Sequence, residues 1–143
     1  MLRISHIKTV TDSQWENIVS LEQELHESSK QYPRENLNAM LANDQVFVLA
    51  VQDGERIIGM ATLYLQQKID NRAAWVEDVI VSDEYRGRGL GKQLMEELIK
   101  TAREEGVLTL NLTSRSSRVA ANALYQKLGF EQRDTNVYKM KLL

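Results

Sequence analysis

The 143-residue chain predicts an α/β (α+β) domain: a mixed, mostly antiparallel seven-stranded sheet flanked by about four helices. Three observations carry that prediction. VFVLAVQ and ERIIGMATLYL are β-rich apolar runs joined through Asp53-Gly54, the dipeptide suited to a tight hairpin. A further run, AAWVEDVIV, passes straight into EYRGRGLGKQL, whose glycines open an amphipathic helical pattern. Helical and β-rich patterns occur within one stretch that has no linker, repeat or low-complexity segment, so a single domain over residues 1–143 is expected.

Taken in order, Leu2, Ile4 and Ile7 alternate loosely with polar neighbours and predict a first strand. A first helix follows, with Thr11 three residues before Gln14 and Ser13 three before Glu16 as capping candidates, and with Trp15, Ile18, Val19 and Leu25 at helical spacing. A shorter second helix starts near Pro33, which suits a first helical position, and carries Leu37, Met40 and Leu41. The hairpin supplies strands two and three, where Gly59 predicts a bulge or a close backbone approach. Residues 73–81 form strand four. Leu90, Leu94, Met95, Leu98, Ile99 and Ala102 then mark one face of a third helix that runs to Gly106. VLTLNLT predicts a fifth strand, parallel to the fourth through a right-handed crossover. RVAANALYQKLGF predicts a fourth helix stopping at Gly129, and two last strands fit Phe130 to Arg133 and Val137 to Leu142.

Composition narrows the function classes. Lys and Arg total 18 against 20 Asp and Glu, a formal charge of −2, so no global field favours nucleic acid. With no cysteine there is no disulfide framework, thiolate metal site or cysteine nucleophile. The opening MLRISHIKTV has no long apolar core, and no 18 apolar residues run together; a soluble, cytoplasmic protein without membrane contact is expected.

The glycine stretch fails two phosphate motifs. A P-loop would need glycine where Arg86 stands and Ser or Thr where Gln93 stands. The dinucleotide pattern would need a glycine at Lys92 or Leu94 and an acidic residue ending the next strand, but LTLNLT is uncharged. What is left is a strand, a turn, and Arg86-x-x-Gly89-x-Gly91 at a helix start. Glycines let a ligand approach the backbone, and the first helical N–H groups converge on an anion such as a diphosphate. Arg86, Arg88 and Lys92 add local positive charge. The alternative is a tight strand-to-helix turn with solvated charges.

VEDVIVSDEYRGRGLGKQL, followed some 30 residues later by ANALYQKLGF, resembles the GNAT superfamily of acetyl-CoA-dependent N-acetyltransferases. The first segment is similar to that family's motif A, matched by Arg86, Gly89 and Gly91; the second is similar to motif B, with Tyr125 and the Leu-Gly-Phe ending. The resemblance implies a GNAT fold in which strands four and five splay apart. It also implies that the backbone of Val79, Ile80 and Val81 pairs with the pantetheine arm of acetyl-CoA, while Arg86, Gly87, Arg88, Gly89, Leu90, Gly91 and Lys92 cradle its pyrophosphate. Many relatives carry asparagine seven residues before the motif B tyrosine, where this chain has Arg118, with Asn122 three before Tyr125. The asparagine's role is not carried over; Arg118 stands as a candidate for a cofactor phosphate, with Asn122 beside it among the cofactor-binding candidates.

Acetyl transfer to an amine needs a proton acceptor, a partner for the carbonyl oxygen and a proton for the departing thiolate. Glu77 and Asp78 adjoin on strand four and, by strand alternation, point to opposite faces, so only one faces the slot. Glu77 is favoured as base or water-positioning group and Asp78 is the alternative; one solvated carboxylate and one structural ion pair is the reading without catalysis. Tyr125 occupies the family's general-acid position, against the plainer role of a core tyrosine. The N–H of Val79 or Val81 is expected to meet the carbonyl oxygen.

His6 and His26 are isolated in sequence and read as surface or satisfied histidines, and no His, Asp and Glu cluster has metal spacing, so no metal is expected. Trp15, Tyr32, Glu24 and Glu27 read as the outer face of an amphipathic region, with acceptor contact as a second reading. The resemblance implies N-acetyl transfer from acetyl-CoA to a primary amine of a small molecule or peptide, by direct attack in a ternary complex. A non-catalytic acetyl-CoA-binding sensor or scaffold of the same fold is the alternative. Relatives are often dimers, which places a homodimer among the expected partners.

Overall fold

A computed structural model describes all residues 1–143, which divide into two compact units, Met1–Thr113 and Ser114–Leu143. In the first unit, five strands form one sheet in the order of the chain: β1 (Leu2–His6), β2 (Val46–Asp53), β3 (Arg56–Gln67), β4 (Arg72–Val81) and β5 (Thr109–Asn111). Helices α1 (Asp12–His26) and α2 (Arg34–Leu41) precede β2, and α3 (Leu90–Glu104) links β4 to β5. The first three strand pairings are antiparallel and β4–β5 is parallel.

The sheet is covered on both faces. Ile18 and Leu21 of α1 and Leu37 of α2 pack with Ala50, Ile57, Met60 and Ile80 of the strands. Helix α3 packs on β2, β3 and β4 and buries Leu90, Leu94, Met95 and Leu98. Local chemistry fixes α1: Thr11 and Gln14 form a reciprocal capping box, and the Gln14 side chain donates to Glu55 O at 2.9 Å. Asn17 Oδ1 accepts from Ile57 N at 3.0 Å, so α1 is stitched to the β2–β3 hairpin beneath it. Pro33 stands at the N-cap of α2, one place before the first helical position expected for it.

Gly59 fulfils both roles expected of it. The β2–β3 register slips beside it, with Val51 opposite Gly59 and Gln52 opposite Ile57. A Cβ there would lie 3.2 Å from Ile80 O and 3.3 Å from a Val51 methyl, so the bare backbone lets β2, β3 and β4 close up.

The seven expected strands reduce to five. Residues 130–143 contain no strand, and the fifth strand shrinks from the apolar run 107–113 to Thr109–Asn111. Alternation in VYKMKL would give an amphipathic strand once paired, but a strand also needs a hydrogen-bonding neighbour, and this segment has none. The second unit contains α4 (Val119–Lys127), terminated as expected by Gly129 at φ 103°. No helix is long and apolar enough to cross a membrane.

Candidate active site

The glycine loop is held in place from the hairpin. Asp83–Tyr85 forms a short 3-10 turn after β4; the Tyr85 hydroxyl donates to Asp53 at the end of β2, and Arg56 pairs with Glu84 at 3.5 Å. Gly87 (φ 78°) and Gly89 (φ 75°) then take left-handed conformations that side-chain-bearing residues avoid. Gly89 is the N-cap of α3 and offers no side-chain acceptor; the first intrahelical bond runs from Gln93 N to Gly89 O. The amides of Leu90, Gly91 and Lys92 therefore have no intrahelical acceptor and present the positive end of the helix.

The basic side chains around these amides all have partners. Arg86 donates from Nε to Val81 O at 3.0 Å, pairs with Glu24 of α1 at 3.0 Å, and makes a close pair with Asp83. The Arg88 guanidinium lies 4.8 Å from the Tyr85 ring centre and donates to Glu84 O, while Lys92 sits 3.9 Å from Glu96. Arg86 and Lys92 are 51% and 63% exposed, so these pairs are weak enough for an anion to compete. The donors left free at the loop are backbone amides, with Arg86 clamping the loop to α1 and β4.

Beside the loop, β4 and β5 part. β5 pairs with β4 only at Ala73–Thr109, Ala74–Leu110 and Trp75–Asn111, and beyond Trp75 that edge of β4 has no neighbouring strand. Val79, Ile80 and Val81 lie on this unpaired stretch. Open backbone suits a ligand carrying amides, and the uncapped helix start suits its diphosphate. The donor set therefore fits coenzyme A.

The structure corrects the reading of the Glu77–Asp78 pair. Met60 opposes Ile80 but Thr62 opposes Glu77, so Asp78 and Val79 together face one residue of β3. Asp78 adopts φ 53°, a conformation that glycine usually supplies at such a bulge and that Asp tolerates. Alternation breaks there: Glu77 lies on the face of Met60 and Ile80, and the Asp78 carboxylate reaches α1 on that same face, so the two carboxylates are not sent to opposite faces.

Asp78 meets residues the sequence did not flag. His26 Nε2 lies 3.3 Å from a Glu22 carboxylate oxygen one helical turn earlier and 3.9 Å from Asp78 Oδ1. His26 is thus not isolated, and Glu22, His26 and Asp78 bring one donor atom each within 4.8 Å of one another, against the expectation that no such cluster forms. The separations are those of hydrogen-bonded and ion-paired groups. Burial and the Asp78 charge push the Glu22 carboxyl up to about 7, with His26 pulling it down. Burial also raises Asp78, while burial and then Asp78 raise Glu77. The i,i+4 spacing of Glu22 and His26 was the available sequence signal; their partner stands 52 residues beyond His26. His6, by contrast, is a satisfied histidine, 3.2 Å from Thr101 Oγ1 and edge-on to Phe47.

In the second unit Tyr125 is buried at 6% exposure and packs edge-on to Phe130 with ring centres 6.0 Å apart. Burial raises its hydroxyl above the usual tyrosine range, and Arg118 opposes that shift. Arg118 is the N-cap of α4, and the Asn122 side chain donates to Arg115 O and Arg118 O at 2.9 Å each, which commits its amide group to the turn before the helix.

A parallel strand pair that separates beside a glycine-opened, uncapped helix defines an acetyl-CoA-dependent transferase fold. The chain belongs to the acetyltransferase (GNAT) family, whose pattern matches residues 12–130. It is 36% identical over 86 residues to a glucosamine 6-phosphate N-acetyltransferase of Trypanosoma brucei brucei, covering 58% of this chain and 56% of that protein. It is 38% identical over 73 residues to the [ribosomal protein bS18]-alanine N-acetyltransferase of Escherichia coli (strain K12), covering 51% and 49% respectively. The chain spans about half the length of the curated relatives it matches. Among solved structures, a Trypanosoma brucei acetyltransferase superposes with TM-score 0.81 at 25% identity, covering 99% of this chain and 100% of that one. A Bacillus halodurans transcriptional regulator superposes at 0.86 with 22% identity over 99% and 100%, a likeness of fold.

Proposed function

We propose that this protein transfers an acetyl group from acetyl-CoA to a primary amine of a small molecule or peptide, by direct attack of the amine in a ternary complex. The observation that carries this reading is the unpaired edge of β4 beyond Trp75 running into the uncapped start of α3. Bound acetyl-CoA supplies an acyl group activated as a thioester.

The chain's own groups do the rest. The amides of the glycine loop and the first turn of α3 hold the diphosphate, and Arg86 keeps that loop against α1. The backbone of Val79, Ile80 and Val81 holds the pantetheine amides; since Val81 O already accepts from Arg86, the N–H of Val79 or Val81 serves as donor to the carbonyl oxygen. An alkylamine with a pKa of about 10.4 arrives charged at neutral pH, so a carboxylate on β4, Glu77 or Asp78, receives its proton directly or through water. Tyr125, protonated throughout the neutral range, gives a proton to the departing sulfur.

The relatives named above act, by their names, on a sugar amine and on a protein alanine, and the class proposed here spans both. A cytoplasmic location and a homodimeric state belong to the same reading. The test is thiol release from acetyl-CoA across a panel of amino sugars, polyamines, aminoglycosides and peptides. Release with at least one amine supports the enzyme; tight coenzyme A binding with no release from any acceptor favours a non-catalytic acetyl-CoA-binding module.

A further inference from the structure

On the transferase reading above, we propose that Glu22 of α1 is a positioning residue of the reaction: it joins Asp78 in a carboxyl–carboxylate couple that receives the proton of the incoming ammonium, with His26 as the exit to solvent. Neither α1 residue lies in the segments that carry the family motifs.

Geometry supports the couple. The left-handed turn at Asp78 swings its carboxylate out of the strand's alternation and against α1. There, Glu22 and His26 sit one helical turn apart, 3.3 Å from each other. Exposure rises from the Glu22 side chain at 18% to His26 at 52%, which orders the groups from interior to solvent. Glu22 Oε1 is buried with no hydrogen-bond partner, an uncommon state for a carboxyl oxygen and one that suits a group exchanging a proton. The other titratable groups facing the couple are Glu77 on β4 and the Tyr64 hydroxyl on β3, which burial and the charges of Asp78, Glu77 and Glu22 push up, so that it stays neutral. His26 is the one basic partner; Glu24, on the same helix, is taken by Arg86.

The proton balance is simple. Below about pH 7 the couple holds one proton and one negative charge, because burial and Asp78 keep Glu22 protonated. Above it, the Glu22 proton is gone and two negative charges stand near each other. In that state the substrate R–NH3⁺ gives one proton to the couple, which frees the nitrogen lone pair to attack. The singly protonated couple passes that proton to the His26 ring, and the ring releases it to water. Activity therefore rises as pH increases through about 7.

Carboxyl carbon NMR titration of the ligand-free protein, run beside kcat/KM against pH, tests this. The expected result is one carboxyl titrating near 7 that is absent in Glu22→Gln, moves down in Asp78→Asn, where a neighbouring negative charge is removed, and moves up in His26→Ala, where the hydrogen-bonding group that pulls it down is removed. Asn accepts the left-handed backbone, so Asp78→Asn keeps the bulge. The acid limb of the rate profile should vanish in Glu22→Gln while coenzyme A affinity, read by calorimetry, stays. A Glu22 carboxyl titrating at its ordinary 4.5, or a rate profile unchanged by Glu22→Gln, overturns the proposal. So does a profile that a chelator abolishes, since the three groups would then serve a cation. If the titration behaves as stated but no amine is acetylated, the couple stands and the transferase reading is what fails.

Discussion

Tyr125 carries the clearest single-residue test. Its hydroxyl is raised by burial, so it keeps its proton over the whole range in which an amine acceptor is tested. Tyr125→Phe should lower turnover by about 10²-fold, the lower end of general-acid effects, and leave coenzyme A affinity within a factor of two of wild type, read by calorimetry. Because the shift is upward, loss of the tyrosine proton cannot produce a fall in rate below about pH 10, and a basic limb at lower pH would belong to another group. Arg86 invites a different expectation. It is engaged with Glu24, Asp83 and Val81, so Arg86→Ala should loosen the loop and weaken coenzyme A binding even in high salt, where a purely electrostatic contact would already be screened.

At the scale of elements, the proposed function makes the start of α3 decide cofactor binding. Gly89→Ala places a Cβ in open space, so its cost is backbone strain at φ 75°, about 1–2 kcal/mol, rather than a clash. The strained loop should bind coenzyme A about tenfold more weakly with a modest fall in Tm. Gly59→Ala should behave in the opposite way, because its Cβ meets Ile80 O and Val51: stability falls while the loop keeps its shape. Local signals of this kind were legible in the sequence. The capping box at Thr11, the Asp53-Gly54 hairpin, the bulge at Gly59 and the α3 face could all be read from neighbours in the chain. The direction of Asp78 could not, because alternation assumes a regular ladder and the bulge is set by how β3 and β4 register. Nor could the Glu22–His26–Asp78 cluster, whose members join only when α1 lies across β4.

For the whole molecule, the sheet is a platform clamped between α1 and α2 on one face and α3 on the other, and α3 both fills the core and, under the proposed function, forms the anion site. Leu98 and Leu94 are fully buried, so Leu98→Ala should cost about 2–5 kcal/mol of stability in denaturant unfolding and reduce cofactor binding only through the fraction folded. Strand count is what the sequence shows least well at this scale, since a pattern of alternating residues near Tyr138 says which face would be apolar but not what would pair with it. The central claim is that main-chain amides at the α3 start hold the carrier's diphosphate. An amide NMR titration with coenzyme A tests it most directly: the account predicts the largest shifts at Gly87, Gly89, Leu90, Gly91 and Lys92, with smaller ones along Val79 to Val81. Saturable binding that left those amides unmoved would contradict it.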